Sequence, residues 1–212
     1  MNVSYVMTRN PLYIHPEMSL SDARAFMKDE KVRRLPVLDK NNKLVGIVTE
    51  SDLINASPSG ATTLDVYEMG YLLSKIKVKK IMTKEVITID ENVVVEEAAR
   101  IMVDNGISAL PVMRGAVLVG IVSDGDLYKL FIKLFGAREH GVRLTMLLED
   151  HPGKLMKITQ AVLEKGGNII SLLIYDGTDV TNRMCILKVG NVSKEDLLSG
   201  ITPLALEIID IR

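Results

Sequence analysis

Apolar positions along the chain recur in two rhythms, and the order in which the rhythms alternate predicts the architecture. Leu20, Ala23 and Met27 fall at helical spacing, and Ser19 followed three residues on by Asp22 marks an N-cap, so a helix opens there. A short extended segment, 12–14, precedes it. Two brief apolar runs follow, Leu35–Leu38 and Leu44–Val48, joined by the polar cluster Asp39-Lys40-Asn41-Asn42-Lys43, which predicts two strands and a turn. A further helix starts near Asp52. The same order then returns: an extended segment at 86–89, and a helix with Ala98, Ile101 and Met102 on one face, stopped by Asn105-Gly106. Strands and a closing helix from near Asp126 complete it. The near-continuous run Leu118-Val119-Gly120-Ile121-Val122 predicts a strand buried on both faces.

Between the two passages lies a linker at 54–80. Ser57-Pro58-Ser59-Gly60 breaks the chain, and the apolar residues of 66–73 predict a helical turn or two. A different pattern begins at Gly141. Leu144, Met146 and Leu148 alternate as a strand, Asp150-His151-Pro152-Gly153 turns the chain, and Leu155, Ile158, Val162 and Leu163 predict one helical face ended by Gly166-Gly167. Strands at Ile169–Tyr175 and Met184–Val189, a short helix from Ser193 and a last strand at Leu206–Ile211 give the order βαββαβ, the ferredoxin-like plan.

The recurrence is a sequence duplication. Residues 6–38 align with 81–113 at an offset of 75, nine of the 33 positions being identical, among them Met7/Met82, Thr8/Thr83 and Pro36/Pro111. After a one-residue deletion in the turn, 44–53 aligns with 118–127 and seven of the ten positions match. The expected organisation is a first repeat at 1–60, a linker helix at 61–77, a second repeat at 78–138 and a separate domain at 141–212, an α/β (α+β) chain overall.

Composition narrows the function classes. The hydrophobic fraction of 47% supports real cores, built from aliphatic residues and 11 Met because aromatics are only 4% and Trp is absent. A net charge of −1 offers no general attraction for nucleic acid or an anionic membrane. The lone Cys185, inside an apolar run, reads as a buried inert thiol. No stretch approaches a membrane span and the N-terminus lacks signal-peptide features, so the expected location is cytoplasmic. No Walker A, Gly-x-Gly-x-x-Gly or His-Glu-x-x-His pattern occurs. The three histidines lack metal-ligand spacing, so neither a catalytic nor a metal site is nominated.

The duplicated motifs are Val-Met-Thr or Ile-Met-Thr at the opening, Leu-Pro-Val in the middle and Gly-Ile-Val-Thr/Ser-x-x-Asp at the close. Together they resemble a pair of cystathionine-β-synthase (CBS) domains. That resemblance implies two βαββα repeats packed as a pseudo-symmetric Bateman module with clefts for adenosine-containing ligands. It implies that Asp52 receives the ribose diol, that Thr49 and Ser51 bond ribose or phosphate, and that Arg33 and Arg34 reach phosphate oxygens. The adenine end would come from Thr83, Thr88, Ile107, Ser108 and Ala109. Independently of the family, Thr49 to Asp52 lies where a strand enters a helix, a position suited to an anion, although Thr-x-x-Asp there also reads simply as an N-cap. The mirror site, Thr8, Tyr13, Ser123 and Asp126, carries the additional acid Asp124 and has Ser108-Ala109 in place of the arginine pair, so it is expected to be empty or to take a less anionic ligand.

In the tail, Asp150-His151-Pro152-Gly153-Lys154-Leu155 and Gly167-Asn168-Ile169 within the βαββαβ order resemble an ACT domain. The whole arrangement is similar to acetoin-utilisation-type regulators. The ACT resemblance implies an amino-acid pocket framed by Asp150, Pro152, Gly153 and Asn168; the bland reading is that these residues only shape the turn and cap the helix. Two functions stay open. One is a homodimeric sensor of AMP, ADP or ATP, with S-adenosylmethionine disfavoured by the arginine pair, that regulates a partner the sequence does not name. The other is an oligomeric adaptor of a metabolic enzyme with vestigial pockets.

Overall fold

The structure, a computed structural model, describes residues 1–56, 71 and 74–212. The expected turns at 57–60 and 66–70, with Leu72 and Leu73, lie outside the described residues. Two compact units emerge, Met1–Leu127 and Tyr128–Arg212.

In the first unit the elements are β1 (Thr8–Arg9), α1 (Leu20–Asp29), β2 (Arg34–Leu38), β3 (Leu44–Thr49), α2 (Glu50–Asn55), β4 (Ile89–Asp90), α3 (Val95–Asp104), β5 (Ala109–Arg114) and β6 (Val117–Ser123). Helix α4 (Asp124–Leu134) begins in this unit. Helix α1 starts where expected, because the Ser19 hydroxyl accepts the Asp22 N–H, and it buries Leu20, Ala23 and Met27. The hairpins β2–β3 and β5–β6 share one register, with Pro36 opposite Ile47 and Pro111 opposite Ile121. Their turns need one left-handed residue each, Asn42 at φ 59° and Gly115 at φ 60°, and the one-residue deletion between the copies falls here.

Neither repeat completes its own sheet. Strand β1, the opening of the first copy, pairs with β6 of the second through Thr8 and Ile121. Thr83, the opening of the second copy, forms the matching bridge to Ile47 on β3, with N···O distances of 2.9 and 3.0 Å. Val78 is correspondingly buried in the core of the first repeat beside Ile14, Leu20, Leu35 and Val48, and the Val3 N–H donates to the Val93 carbonyl. The Gly in each Leu-Val-Gly-Ile-Val motif exists for this crossing. A Cβ on Gly46 would lie 2.5 Å from the Met82 sulfur and 3.1 Å from the Thr83 carbonyl, and Gly120 meets Met7 and Thr8 in the same way.

The expectation of two-sided burial for 118–122 holds only in part. Gly120 and Val122 are buried, while Leu118, Val119 and Ile121 are half-buried, so one face of β6 is more covered than the other.

The second unit contains β7 (Val142–Glu149), α5 (Lys154–Glu164), β8 (Asn168–Asp176), β9 (Asn182–Gly190), α6 (Lys194–Ile201) and β10 (Glu207–Ile211), the sheet running β10-β7-β9-β8. This is the βαββαβ order anticipated. Leu144, Met146 and Leu148 of β7 pack with Cys185, Leu187 and Val189 of β9 beneath the helices. Helix α5 differs from its expected face: Ile158, Ala161 and Val162 are buried, whereas Leu155 and Leu163 are exposed. The small Ala161 lets α6 approach closely, its carbonyl lying 3.6 Å from where a Gly200 Cβ would stand, and the two leucines project to the flanks of the contact. The opposite face of the sheet is also closed in places. Lys188 is buried with its Nζ donating to the Gly136 carbonyl at 2.7 Å, and Ser171 beside it donates to the Phe135 carbonyl at 3.3 Å.

Gly46→Val and Gly120→Val are each expected to destabilise the chain by about 2–3 kcal/mol in urea denaturation, the scale of an overpacked core; a loss below about 0.5 kcal/mol would mean that the crossing is not tight. Burial also pushes the Cys185 thiol up to about 11, so it should resist alkylation by iodoacetamide at neutral pH and react only on unfolding. Rapid modification of the folded chain would contradict this placement.

Candidate functional site

Strand β3 delivers Thr49 to the start of α2, where a capping box forms. The Thr49 hydroxyl accepts the Asp52 N–H at 3.3 Å, and the Thr49 N–H and hydroxyl donate to Asp52 Oδ2 at 2.7 and 2.8 Å. Both of those bonds fall on Oδ2; among the described residues Oδ1 accepts no hydrogen bond and retains its capacity for one. The carboxylate is therefore held rigidly with a second oxygen available, an arrangement suited to a pair of vicinal hydroxyls.

Around this carboxylate lies a cavity of about 240 Å³ in the first unit. Arg34, Ile47, Thr49 and Asp52 line it from the first repeat, and Thr83, Ile107, Ser108 and Ala109 from the second. The crossing at Ile47 and Thr83 is what brings the two sets together. Seven of the ten residues expected at the main site thus line one cavity. Arg33, Ser51 and Thr88 are exposed and do not line it, because successive side chains alternate between Arg33 and Arg34 and Ser51 stands at an exposed position of the first turn of α2. The cavity also includes Glu85, Val86 and Ile87, Gly106 and Pro111, which no motif had nominated. Glu85 to Ile87 follow the Met82-Thr83 motif after one residue, Lys84, so the duplicated pattern could have suggested them.

Arg34 is already engaged. Its Nε and Nη2 donate to Ser108 Oγ at 3.0 and 2.6 Å, and Nη2 pairs with Asp124 Oδ1 at 3.3 Å. The guanidinium is mostly sheltered while the carboxylate is nearly half exposed, at 22% and 43%. This contact links the end of the first repeat's core strand to the first residue of α4.

The mirror position repeats the cap without the arginine. The Ser123 N–H and hydroxyl donate to Asp126 Oδ2 at 3.0 and 2.8 Å. Thr8 is paired in β1, and Tyr13 stacks edge-on against His15 at 5.7 Å with its ring partly exposed.

The four residues expected to frame an amino-acid pocket do not converge within the chain. Asp150 is ion-paired with Arg183 at 2.9 Å, and Gly153 adopts φ 84° as the residue before α5. Asn168 pairs with Gly190, whereas Glu149, next to Asp150, pairs with Asn182. The two groups therefore sit at opposite ends of β9, roughly 27 Å apart at about 3.4 Å per residue. A parallel relation of β7 and β8 across β9 makes this separation unavoidable. Among the described residues no group of three His, Cys, Asp or Glu is gathered as for a metal, and no helix is long and apolar enough to cross a membrane.

Comparison with known proteins agrees with this layout. The model of the CBS domain matches residues 3–59 and 78–133, and that of the TTHA0829-like ACT domain matches 140–212. An uncharacterized protein of Methanocaldococcus jannaschii is 34% identical over 136 residues, 62% of this chain, and the match spans only 32% of that relative's length. The Vibrio cholerae protein AcuB, named for acetoin utilization, has a crystal structure similar to 65% of this chain, covering 95% of its own, at 30% identity and TM-score 0.54. The CBS domain pair of protein MJ0100, in complex with 5′-methylthioadenosine and S-adenosyl-L-methionine, covers 66% of this chain and 98% of its own at 28% identity and TM-score 0.53. CBSX2 in complex with AMP covers 62% of this chain and 96% of its own at 31% identity and TM-score 0.50.

Thr49→Ala removes one half of the capping box, and a loss of about 1 kcal/mol is expected in chemical denaturation. An unchanged midpoint would show that the Asp52 carboxylate is held by something else.

Proposed function

The chain belongs to the CBS-domain family, carrying the two CBS domains in tandem ahead of a TTHA0829-like ACT domain, and from that premise we propose that it is a regulatory sensor of an adenosine-containing ligand. The observation that carries this reading is the convergence, in one cavity, of the capped Asp52 carboxylate from one repeat with the apolar strand entry Ile107–Ala109 from the other. Asp52 Oδ1 accepts from the ribose diol, Arg34 meets a 5′ phosphate, and the adenine ring lies among Ile47, Val86, Ile107 and Ala109. Charge-assisted bonds from one guanidinium suit a small anionic group. That relatives of similar fold are complexed with AMP, or with 5′-methylthioadenosine and S-adenosyl-L-methionine, supports the adenosine class.

Ligand binding in this reading biases the arrangement of chains and so acts on a regulated protein; the chain itself performs no chemistry. It works as a cytoplasmic homodimer. An amino acid binds the ACT domain only where a second chain brings its Asn168 to the loop at Asp150, since one chain holds them at opposite ends of β9. The engagement of Asp150 by Arg183 favours a second reading for that domain alone, an assembly module without a ligand.

Thermal melting with saturating AMP, ADP, ATP or S-adenosylmethionine tests the main proposal. A ligand at about 100 times its dissociation constant stabilises by about 2.7 kcal/mol, and the rise in Tm is expected to vanish in Asp52→Ala, measured against that variant's own unliganded Tm. No shift with any of the four would overturn the sensor reading, and a shift retained in the variant would move the site elsewhere.

A further inference from the structure

Among the described residues the cavity is lined by one cation, Arg34, and two acids, Asp52 and Glu85, while a third acid, Asp124, stands just outside the lining against Arg34. Arg34 has no counterpart in the second repeat, where the aligned position is Ala109. Asp124 does have one, Glu50, since both are the first residue of a closing helix. The duplication has thus left a single guanidinium beside one of two related carboxylates, and it reaches across to the carboxylate of the other repeat. Asp124 is not free to swing away, because Oδ1 also accepts the Gly125 N–H at 2.8 Å. The arginine fork is fixed as well, with two nitrogens on Ser108 Oγ.

Building on the adenosine-site reading, we infer that Asp124 is a charge filter on the cavity, a carboxylate of the protein that shares Arg34 with the ligand's 5′ group. An oxyanion meeting Arg34 must lie close to a carboxylate already 3.3 Å from the same nitrogen, and like charges at that separation repel. Asp52 and Glu85, which line the cavity itself, carry the same sign of charge and do not relieve the repulsion. The filter lowers the affinity for phosphate-bearing adenosine ligands and leaves neutral ones untouched. Asp124, which the sequence suggested only as a spoiler of the mirror site, therefore sets selectivity at the main one.

The test is calorimetric titration of the full chain with AMP and with 5′-methylthioadenosine, which carries the nucleoside without the charge. Asp124→Asn keeps an oxygen for both Arg34 and Gly125 and removes the charge. It is expected to tighten AMP about fivefold, the upper end for a partly exposed pair, and to leave 5′-methylthioadenosine within about twofold. Asp124→Ser, equally acceptable at a helix start, should do the same and guards against a folding defect in one variant. In an Arg34→Gln background the AMP gain should disappear, because the shared group is gone. Equal effects on both ligands, no effect on AMP, or a gain that persists without Arg34 would overturn the filter while leaving the site intact. Failure of both ligands to bind the unmodified chain and every variant would overturn the site and the filter together.

Discussion

The pairing of each repeat's opening segment with the strand of the other repeat is the constraint on which the rest of the first unit depends. A two-stranded hairpin such as β2–β3 is marginal in water, and its open edge is a liability. Thr83 closes that edge through two backbone hydrogen bonds to Ile47, and Thr8 does the same for β6. The close approach admits no Cβ, which is why glycine stands at 46 and 120. With Val78 in the core of the first repeat, neither copy has a complete core alone. The ligand cavity follows directly. Its walls are Ile47 and Thr49 on one strand and Thr83 on the segment laid across it, so it cannot form until the two repeats have docked.

The second unit solves a different problem with the same economy of small residues. Its helices press on one face of the sheet through Ile158, Ala161, Leu197 and Ile201, and the register of β7, β8 and β9 fixes which loops share an end. The other face is not left to water. Lys188 and Ser171, adjacent across β8 and β9, donate to the carbonyls of Gly136 and Phe135, so the residues after α4 are tied down by side chains that a hydropathy pattern would have assigned to solvent.

Much of this was legible in the residues. Ser19, Asn105-Gly106 and Ser193 mark helix ends by local chemistry that tertiary structure did not override, and the alternation of Leu144, Met146 and Leu148 read true. The crossing was not legible, because Gly-Ile-Val occurs in both copies and a two-residue strand can pair with either at nearly equal local energy. Only the long-range core, with Val78 seated among first-repeat residues, decides it. For the site, Asp52 and Thr49 were readable since a capping box is contiguous in sequence. The separation of Arg34 from Arg33 was not, because successive residues of an extended chain face opposite ways and the register alone tells which is inward. Asn168 failed for a related reason: proximity to the Asp150 loop depends on strand order, which no local motif records.

The asymmetry of the two caps is the last step. A duplicated module begins with two equal clefts, and Thr49/Asp52 and Ser123/Asp126 still make the same pair of bonds to one carboxylate oxygen. What separates the clefts is therefore not the cap but the single basic residue between them. Arg34, the first residue of β2, takes both of its contacts from the second repeat, and in doing so ties Ser108 into the first cleft and draws Asp124 up beside it. One substitution at position 34 or its counterpart, Ala109, thus redistributes charge between both sites at once. A chain built on an internal twofold can in this way acquire one selective pocket and one plain one without altering its backbone, because the shared axis lets a side chain from one copy decide the electrostatics of the other.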